Sequence, residues 1–152
     1  VGSKPEATEE NLNEVLWHVV SYISLRSSDK VKIICNFPAT PVLMKVCAPL
    51  FEWVIENLCK NAIDAMSGRG RIVITMHEIT TMIIIEVADT GKGIAKNRFK
   101  SVFLPGYTTK QRGWGLGLSL ARRIIEKYHH GRIFVKNSEI GKGTTFRIEL
   151  RK

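Results

Sequence analysis

The feature that most constrains this chain is one long amphipathic stretch, residues 46–66, closed by Ser67-Gly68 with Gly70 close behind. On a 100° wheel Phe51, Val54, Leu58 and Ala62 fall together, with Ile55 and Met66 beside them, so the stretch predicts a helix with one buried face. The rest of the chain comes in shorter pieces. An earlier helix is expected over residues 9–25, from the spacing of Leu12, Val15, Leu16, Val19, Val20 and Ile23, and a strand over 29–36. Pro38 and Pro41 mark a loop. Beyond Gly70, residues 71–78 alternate and 81–88 run apolar, which reads as a hairpin. A short helical turn is expected within 95–103, a loop over 104–113, a helix over 116–129, and strands over 132–136 and 144–150 joined at Gly141 and Gly143. Helices interleaved with mostly antiparallel hairpins predict an α/β two-layer sandwich, its mixed, mainly antiparallel sheet covered on one face by helices. They argue against a Rossmann fold, which needs parallel strand–helix–strand units.

Composition supports one folded domain. Of 152 residues, 44% are hydrophobic and 24% charged, the balance of a globular domain and not of a disordered tail. No apolar run approaches the roughly 20 residues of a membrane span. The three cysteines, Cys35, Cys47 and Cys59, have no CxxC spacing, which argues against a disulfide framework or zinc site and for a reducing compartment. The polar start lacks Met, so the sequence is read as cut from a longer one. Lys and Arg total 23 against 14 Asp and Glu, a formal charge of +9 that suits an anionic partner.

Four constellations carry candidate chemistry. On the long helix, Asn57, Lys60, Asn61 and Asp64 fall within roughly 100° of one another and form a polar stripe. Such a stripe can be a solvated face. Two Asn at i, i+4 are poor helix formers, however, and amide oxygens at that spacing can ligate a hard cation. The second constellation, Asp89-Thr90-Gly91-Lys92-Gly93-Ile94, follows the apolar strand. It reads as a turn, or as a carboxylate that accepts an exocyclic amine beside glycines that let a flat ring approach the backbone. The third, Gly113-Trp114-Gly115-Leu116-Gly117-Leu118, opens a helix, where bare N–H groups favour phosphate. Lys110 and Arg112 precede it with cations, and Thr108 and Thr109 with hydroxyls. The fourth, Gly141-Lys142-Gly143-Thr144-Thr145-Phe146, reads equally as a hairpin turn.

In this order, and with the Phe103-Leu104-Pro105-Gly106-Tyr107-Thr108-Thr109-Lys110 block between them, the motifs resemble the Bergerat ATP-binding fold. Sensor histidine kinases, type II topoisomerases, Hsp90-type chaperones and mismatch-repair ATPases share that domain. The resemblance covers about residues 50–150 and implies a set of roles. Asn61 would ligate Mg²⁺, the implied cofactor, with Asn57 one turn earlier on the same side and Lys60 near phosphate. Asp89 would accept the adenine amino group, partly through a water held by Thr144. Gly91, Gly93 and Ile94 would line the base pocket. Tyr107, Thr108, Thr109, Lys110, Gly113, Gly115, Leu116, Gly117 and Leu118 would belong to the ATP lid and its end.

Within the superfamily, hydrolysing and serine-phosphorylating branches place a Glu one turn before the metal Asn. Here Asn57 stands there, and Glu56 is rotated about 100° away. With no base in the domain, the acceptor must already be a competent nucleophile, which favours the histidine kinases. None of His18, His77, His129 or His130 sits in the family's acceptor pattern. Residues 1–8 read as a disordered leader, and the resemblance implies 9–152 as a single ATP-binding catalytic domain, a fragment of a longer kinase. Its partners would be ATP and ADP, the parent's dimerisation and phosphoacceptor helices, and a response regulator receiver domain. No nucleic acid or membrane contact is expected. The expected location is cytoplasmic, with anchoring of the parent in the inner membrane left open. Rival readings are an ATPase or serine kinase using Glu56 as base, and a non-catalytic nucleotide sensor.

Overall fold

The computed structural model describes residues 6–106 and 117–152. A strand β1 (Thr8–Asn11) leads into α1 (Leu12–Arg26), followed by β2 (Val31–Asn36), β3 (Leu43–Val46) and α2 (Ala48–Ala65). Next come β4 (Gly70–Glu78), β5 (Met82–Asp89) and two 3₁₀ turns at Lys96–Arg98 and Ser101–Phe103. The chain ends with α3 (Gly117–Arg123) continued by a π turn (Ile124–Tyr128), then β6 (Arg132–Glu139) and β7 (Gly143–Arg151).

Five strands form one sheet in the order β2-β4-β5-β7-β6. Only β2 and β4 are parallel; the other neighbours are antiparallel. Period-2 alternation sends Ile72, Ile74 and Met76 of β4, Ile83, Ile85 and Val87 of β5, and Phe146, Ile148 and Leu150 of β7 to one buried face. There they meet Phe51, Val54, Ile55, Leu58, Cys59 and Ala62 of α2 and the apolar stripe of α1. The other face carries ion pairs instead, with Glu86 bridged to Lys136 and Arg147. This is the expected two-layer sandwich, helices on one side.

The structure moves several expected boundaries. Residues 9–11 are extended and not helical, because Asn11 caps α1: its side chain accepts from the Asn13 and Glu14 N–H groups at 3.0 and 3.4 Å. They pair with residues 43–45 in a separate two-stranded ribbon, and that pairing also takes in Thr8, at the end of the expected leader. Val46 is the last residue of β3, so α2 begins only at Ala48, with Pro49 in its first turn where no N–H partner is needed. The final helix is shorter and ends in a π turn. The last two strands are longer, with a bulge between Val135 and Asn137.

Two devices fix the ends of α2, and so the position of its polar stripe. At its start the Cys47 side chain makes no cap bond; the Cys47 N–H donates to Nε2 of buried His129 at 3.0 Å. Nδ1 of the same ring lies 3.1 Å from the Ile124 carbonyl and donates to it, which makes the ring the neutral tautomer with both nitrogens used. At the other end Ser67 (φ 55°) and Gly68 (φ 79°) turn left-handed, and the Gly68 N–H returns to the Ile63 carbonyl at 3.0 Å.

Candidate functional site

The end of α2, the loop after β5 and the β6–β7 hairpin converge at one end of the sandwich through close backbone approaches. After β5, the Lys92 N–H donates to the Ala65 carbonyl at the end of α2, 2.9 Å away. Gly91 lies so close that a Cβ there would sit 2.7 Å from the Ala65 carbonyl carbon and oxygen. Gly93 (φ 81°) backs onto the β6–β7 hairpin, where a Cβ would come 2.3 Å from the Glu139 carbonyl oxygen. The Gly141 N–H closes this junction by donating to the Lys92 carbonyl at 2.8 Å. These glycines therefore serve chain-on-chain packing at this junction.

Asp89 ends β5 on the helix-covered face, just beyond the paired Ala88 and Thr145 of β5 and β7. Its Oδ1 accepts from the Gly91 N–H at 2.8 Å and from the Thr144 N–H at 3.3 Å. Burial raises its carboxyl above the ordinary value, and these two N–H groups pull it partway back. Thr144 is itself buried, and its hydroxyl lies 2.7 Å from that of Ser138. A cleft of about 330 Å³ opens beside Asp89 and Thr144, walled further by Asn137, Ser138, Glu139 and Lys142. Ile94 is anchored to the same cluster, its N–H donating to Ser138 Oγ at 2.7 Å.

The polar stripe of α2 divides in two. Asn57 and Asn61 are half-buried, while Lys60 is exposed and paired with Glu56 at 2.9 Å. Asn57 points at the start of α3: a Cβ on Gly117 would stand 2.7 Å from its Oδ1 and 2.9 Å from its Nδ2. The Nδ2 atom is buried without a hydrogen-bond partner among the described residues. Leu118 is half-buried beside Gly117 and packs on the core. The structure thus joins Asn57 to Gly117, Asp89 to Thr144, and the Asp89 loop to the end of α2. The expected lid residues Tyr107, Thr108, Thr109, Lys110, Gly113, Gly115 and Leu116 lie outside the described residues.

Residues 48–152 match the family described as histidine kinase-, DNA gyrase B-, and HSP90-like ATPase. The chain is 31% identical to the nucleotide-free catalytic domain of histidine kinase ThkA, with a TM-score of 0.87, covering 97% of this chain and 96% of that one. The chain belongs to the histidine kinase catalytic domains. Among curated relatives, sensor histidine kinase ZraS of Salmonella typhi is 38% identical over 143 residues, 92% of this chain. A ThkA structure in complex with response regulator protein TrrA aligns at 29% identity and TM-score 0.83, over 96% of this chain and 42% of that one. The chain spans about 30% of the length of ZraS. No helix among the described residues of this catalytic domain is long and apolar enough to cross a membrane.

Sequence reasoning about this histidine kinase domain missed Ser138 and His129 as organising residues. A lone Ser in a hairpin strand has no pattern to flag it. His129 looked like a routine helix-end residue, and only the fold brings it to Cys47. All three cysteines are free. Burial pushes the Cys35 thiol up to about 11 and that of Cys59 to about 12, so neither is a ready nucleophile.

Proposed function

We propose that this domain binds Mg-ATP at the end of the sandwich where α2, β5 and α3 meet, and donates the γ-phosphoryl group to a histidine. The acceptor would lie on a separate dimerisation and phosphoacceptor domain of a longer parent. The observation that carries this reading is the Asn57–Gly117 contact, which sets an amide against the start of α3. Glu56, the residue that the rival mechanism would use as base, is engaged by Lys60. A neutral imidazole needs no base on this domain: its ring nitrogen bonds to the γ-phosphorus, the bond to the β–γ bridging oxygen breaks, and ADP leaves. What remains for the domain is positioning and charge neutralisation.

Each residue then has a task. Asp89 has no hydrogen bond to Oδ2 among the described residues, which leaves that oxygen to accept the adenine amino group, with Thr144 beside it to hold a water. Gly91, Gly93 and Ile94 form the backbone floor of the base site. Gly117 offers bare backbone next to Asn57, and Lys110 and Gly115 of the lid would serve the phosphates. The amide-rich stripe fits Mg²⁺, which takes few protein ligands and completes its shell with water and phosphate oxygens. Asn61 would hold it, Asn57 would assist, and when bound it would neutralise phosphate charge. We read residues 9–152 as one catalytic unit. The response regulator in the ThkA complex supports a receiver domain as the eventual phosphoryl recipient, and the domain is assigned to the cytoplasm as part of this reading.

The test joins this chain to the parent's phosphoacceptor helices and supplies ATP labelled at the γ-position. Label that resists alkali and is lost in acid, and that disappears when the acceptor histidine is replaced, is the expected result. Label on serine, or free phosphate with no labelled protein, would overturn the reading.

A further inference from the structure

The positive charge of this chain is concentrated in one stretch. Between residues 90 and 132 ten Lys and Arg stand against one carboxylate, Glu126, a surplus equal to the whole formal charge of +9. The remaining residues balance. Two of the ten cations, Lys110 and Arg112, fall in the proposed lid. Three others, Lys100, Arg122 and Arg132, line a cleft of about 330 Å³ to which no residue of α2 or β5 contributes. The cleft lies between the 3₁₀ turns, α3 with its π turn, and the edge strand β6. Arg122 stands five residues past Gly117, about 140° around α3, so it faces a different side from the one that meets Asn57.

This cleft sets charge around an apolar floor. Phe103 and Ile133 are buried in it, and Phe99 and Phe134 are half-buried. Glu126 is held by Arg122 at 2.9 Å, and Arg132 pairs with Glu149 of β7 at 3.2 Å. Exposed pairs of this kind contribute little and exchange for an incoming carboxylate. Lys100 is exposed at the same rim. The rings argue against nucleic acid, whose single strands stack bases on open aromatic faces. Phe103 is buried edge-on against Phe146, with ring centroids 6.0 Å apart, and the Arg132 guanidinium already lies over the Phe134 ring, 4.7 Å from its centroid. An apolar hollow ringed by cations suits one apolar anchor carried between carboxylates. We propose that this cleft docks an acidic protein segment, which inserts one aromatic or large aliphatic side chain between Phe99 and Phe134 while its carboxylates meet Lys100, Arg122 and Arg132. The inference goes beyond the nucleotide reading and does not rest on it.

The probe is a fluorescein-labelled peptide with one phenylalanine flanked by three glutamates on each side, followed by anisotropy. Its comparators are the same peptide with serine in place of phenylalanine and a single-stranded oligonucleotide of equal charge. The wild type is expected to bind the phenylalanine peptide about tenfold more tightly than either comparator. Lys100→Glu and Phe134→Ala are each expected to weaken that binding about tenfold. Lys45→Glu, on β3, makes the same change of net charge away from the cleft and is expected to leave the affinity within about twofold. Thermal unfolding of each variant reports that the fold persists. Saturating ADP is expected to leave peptide binding unchanged, because the cleft is separate from the proposed nucleotide site. No binding of the phenylalanine peptide, or equal binding of the serine peptide or the oligonucleotide, overturns the proposal. So does an equal loss in Lys45→Glu, which would make net charge the whole cause, or displacement of the peptide by ADP. None of these results touches the nucleotide reading, which stands or falls on nucleotide binding itself.

Discussion

The amide of Asn57 on α2 and the α-carbon of Gly117 at the start of α3 lie against each other, and a methyl group added at Gly117 would stand 2.7 Å from Asn57 Oδ1. The atom in the way is the end of a side chain and not backbone, so the helix can keep its place while the amide is displaced. Gly117→Ala is therefore expected to cost about 1 kcal/mol of stability, a fall of roughly 2–4 °C in Tm. The same change is expected to weaken nucleotide binding at least tenfold. Paired calorimetry and thermal unfolding measure both effects. A large loss of stability with unchanged binding would mean that the contact is only structural.

Gly143 behaves differently. Its φ is 136°, and a Cβ there would stand 1.9 Å from the Asp89 carbonyl oxygen, which is backbone. Gly143→Ala is expected to destabilise the domain by about 3 kcal/mol or more, since two strands must separate. Urea denaturation measures it, and a cost below about 1 kcal/mol would contradict the register drawn between β5 and β7.

Burial holds the Asp89 carboxyl above its ordinary value. With a raised folded-state value, the stability linked to this group is complete below the unfolded value of about 4 and is lost as pH rises through the folded one. Asp89→Asn keeps an oxygen for the Gly91 N–H but removes the titration. The wild type is therefore expected to lose stability relative to Asp89→Asn on going from acid to neutral pH. Adenine nucleotide favours the ionised form and is expected to release protons on binding. Denaturation series for the two proteins, and binding heats in buffers of different ionisation enthalpy, check both statements.

His129 carries the opposite sign. Burial lowers its value although the Ile124 carbonyl pulls the other way. Its neutral ring receives the Cys47 N–H, so it contributes stability above the unfolded value of about 6.5 and loses it as pH falls. His129→Gln can span the same donor and acceptor without titrating. The wild type is expected to lose more stability than His129→Gln between pH 7.5 and pH 5.5, and equal losses would place the pH dependence elsewhere.

Glu56 separates the rival mechanism. Its carboxylate is paired with Lys60 at 2.9 Å and lies on a different side of α2 from Asn57. Glu56→Gln is expected to leave phosphoryl transfer within about twofold, where an essential base would cost about a hundredfold or more. Single-turnover labelling of the acceptor histidine decides between them.

The parts that were legible share one property: their information is local. The apolar face of α2 and its Asn57–Asn61 stripe follow from a 3.6 period, and the β4–β5 hairpin from alternation across a short connection. The ribbon of β1 and β3 was not legible. Each strand has four residues, Glu9, Glu10 and Lys45 give no alternation, and the partners stand more than thirty residues apart. The parallel pairing of β2 with β4 is similarly non-local. The proposed site residues follow from motif order, yet the packing around Gly91 and Gly93 does not. Their neighbours, Ala65 and Glu139, become visible only once the chain is folded. Ser138 acts through its partners across the β6–β7 hairpin and in the loop after β5, which no spacing along the chain records.

The most direct test of the central claim is calorimetric titration of ADP into wild type and Asn61→Ala, each with and without Mg²⁺. The expected result is ADP binding by the wild type that Mg²⁺ strengthens, and a strengthening at least tenfold smaller in Asn61→Ala. Failure of the wild type to bind, or a Mg²⁺ effect unchanged in Asn61→Ala, would contradict the site described at the end of α2.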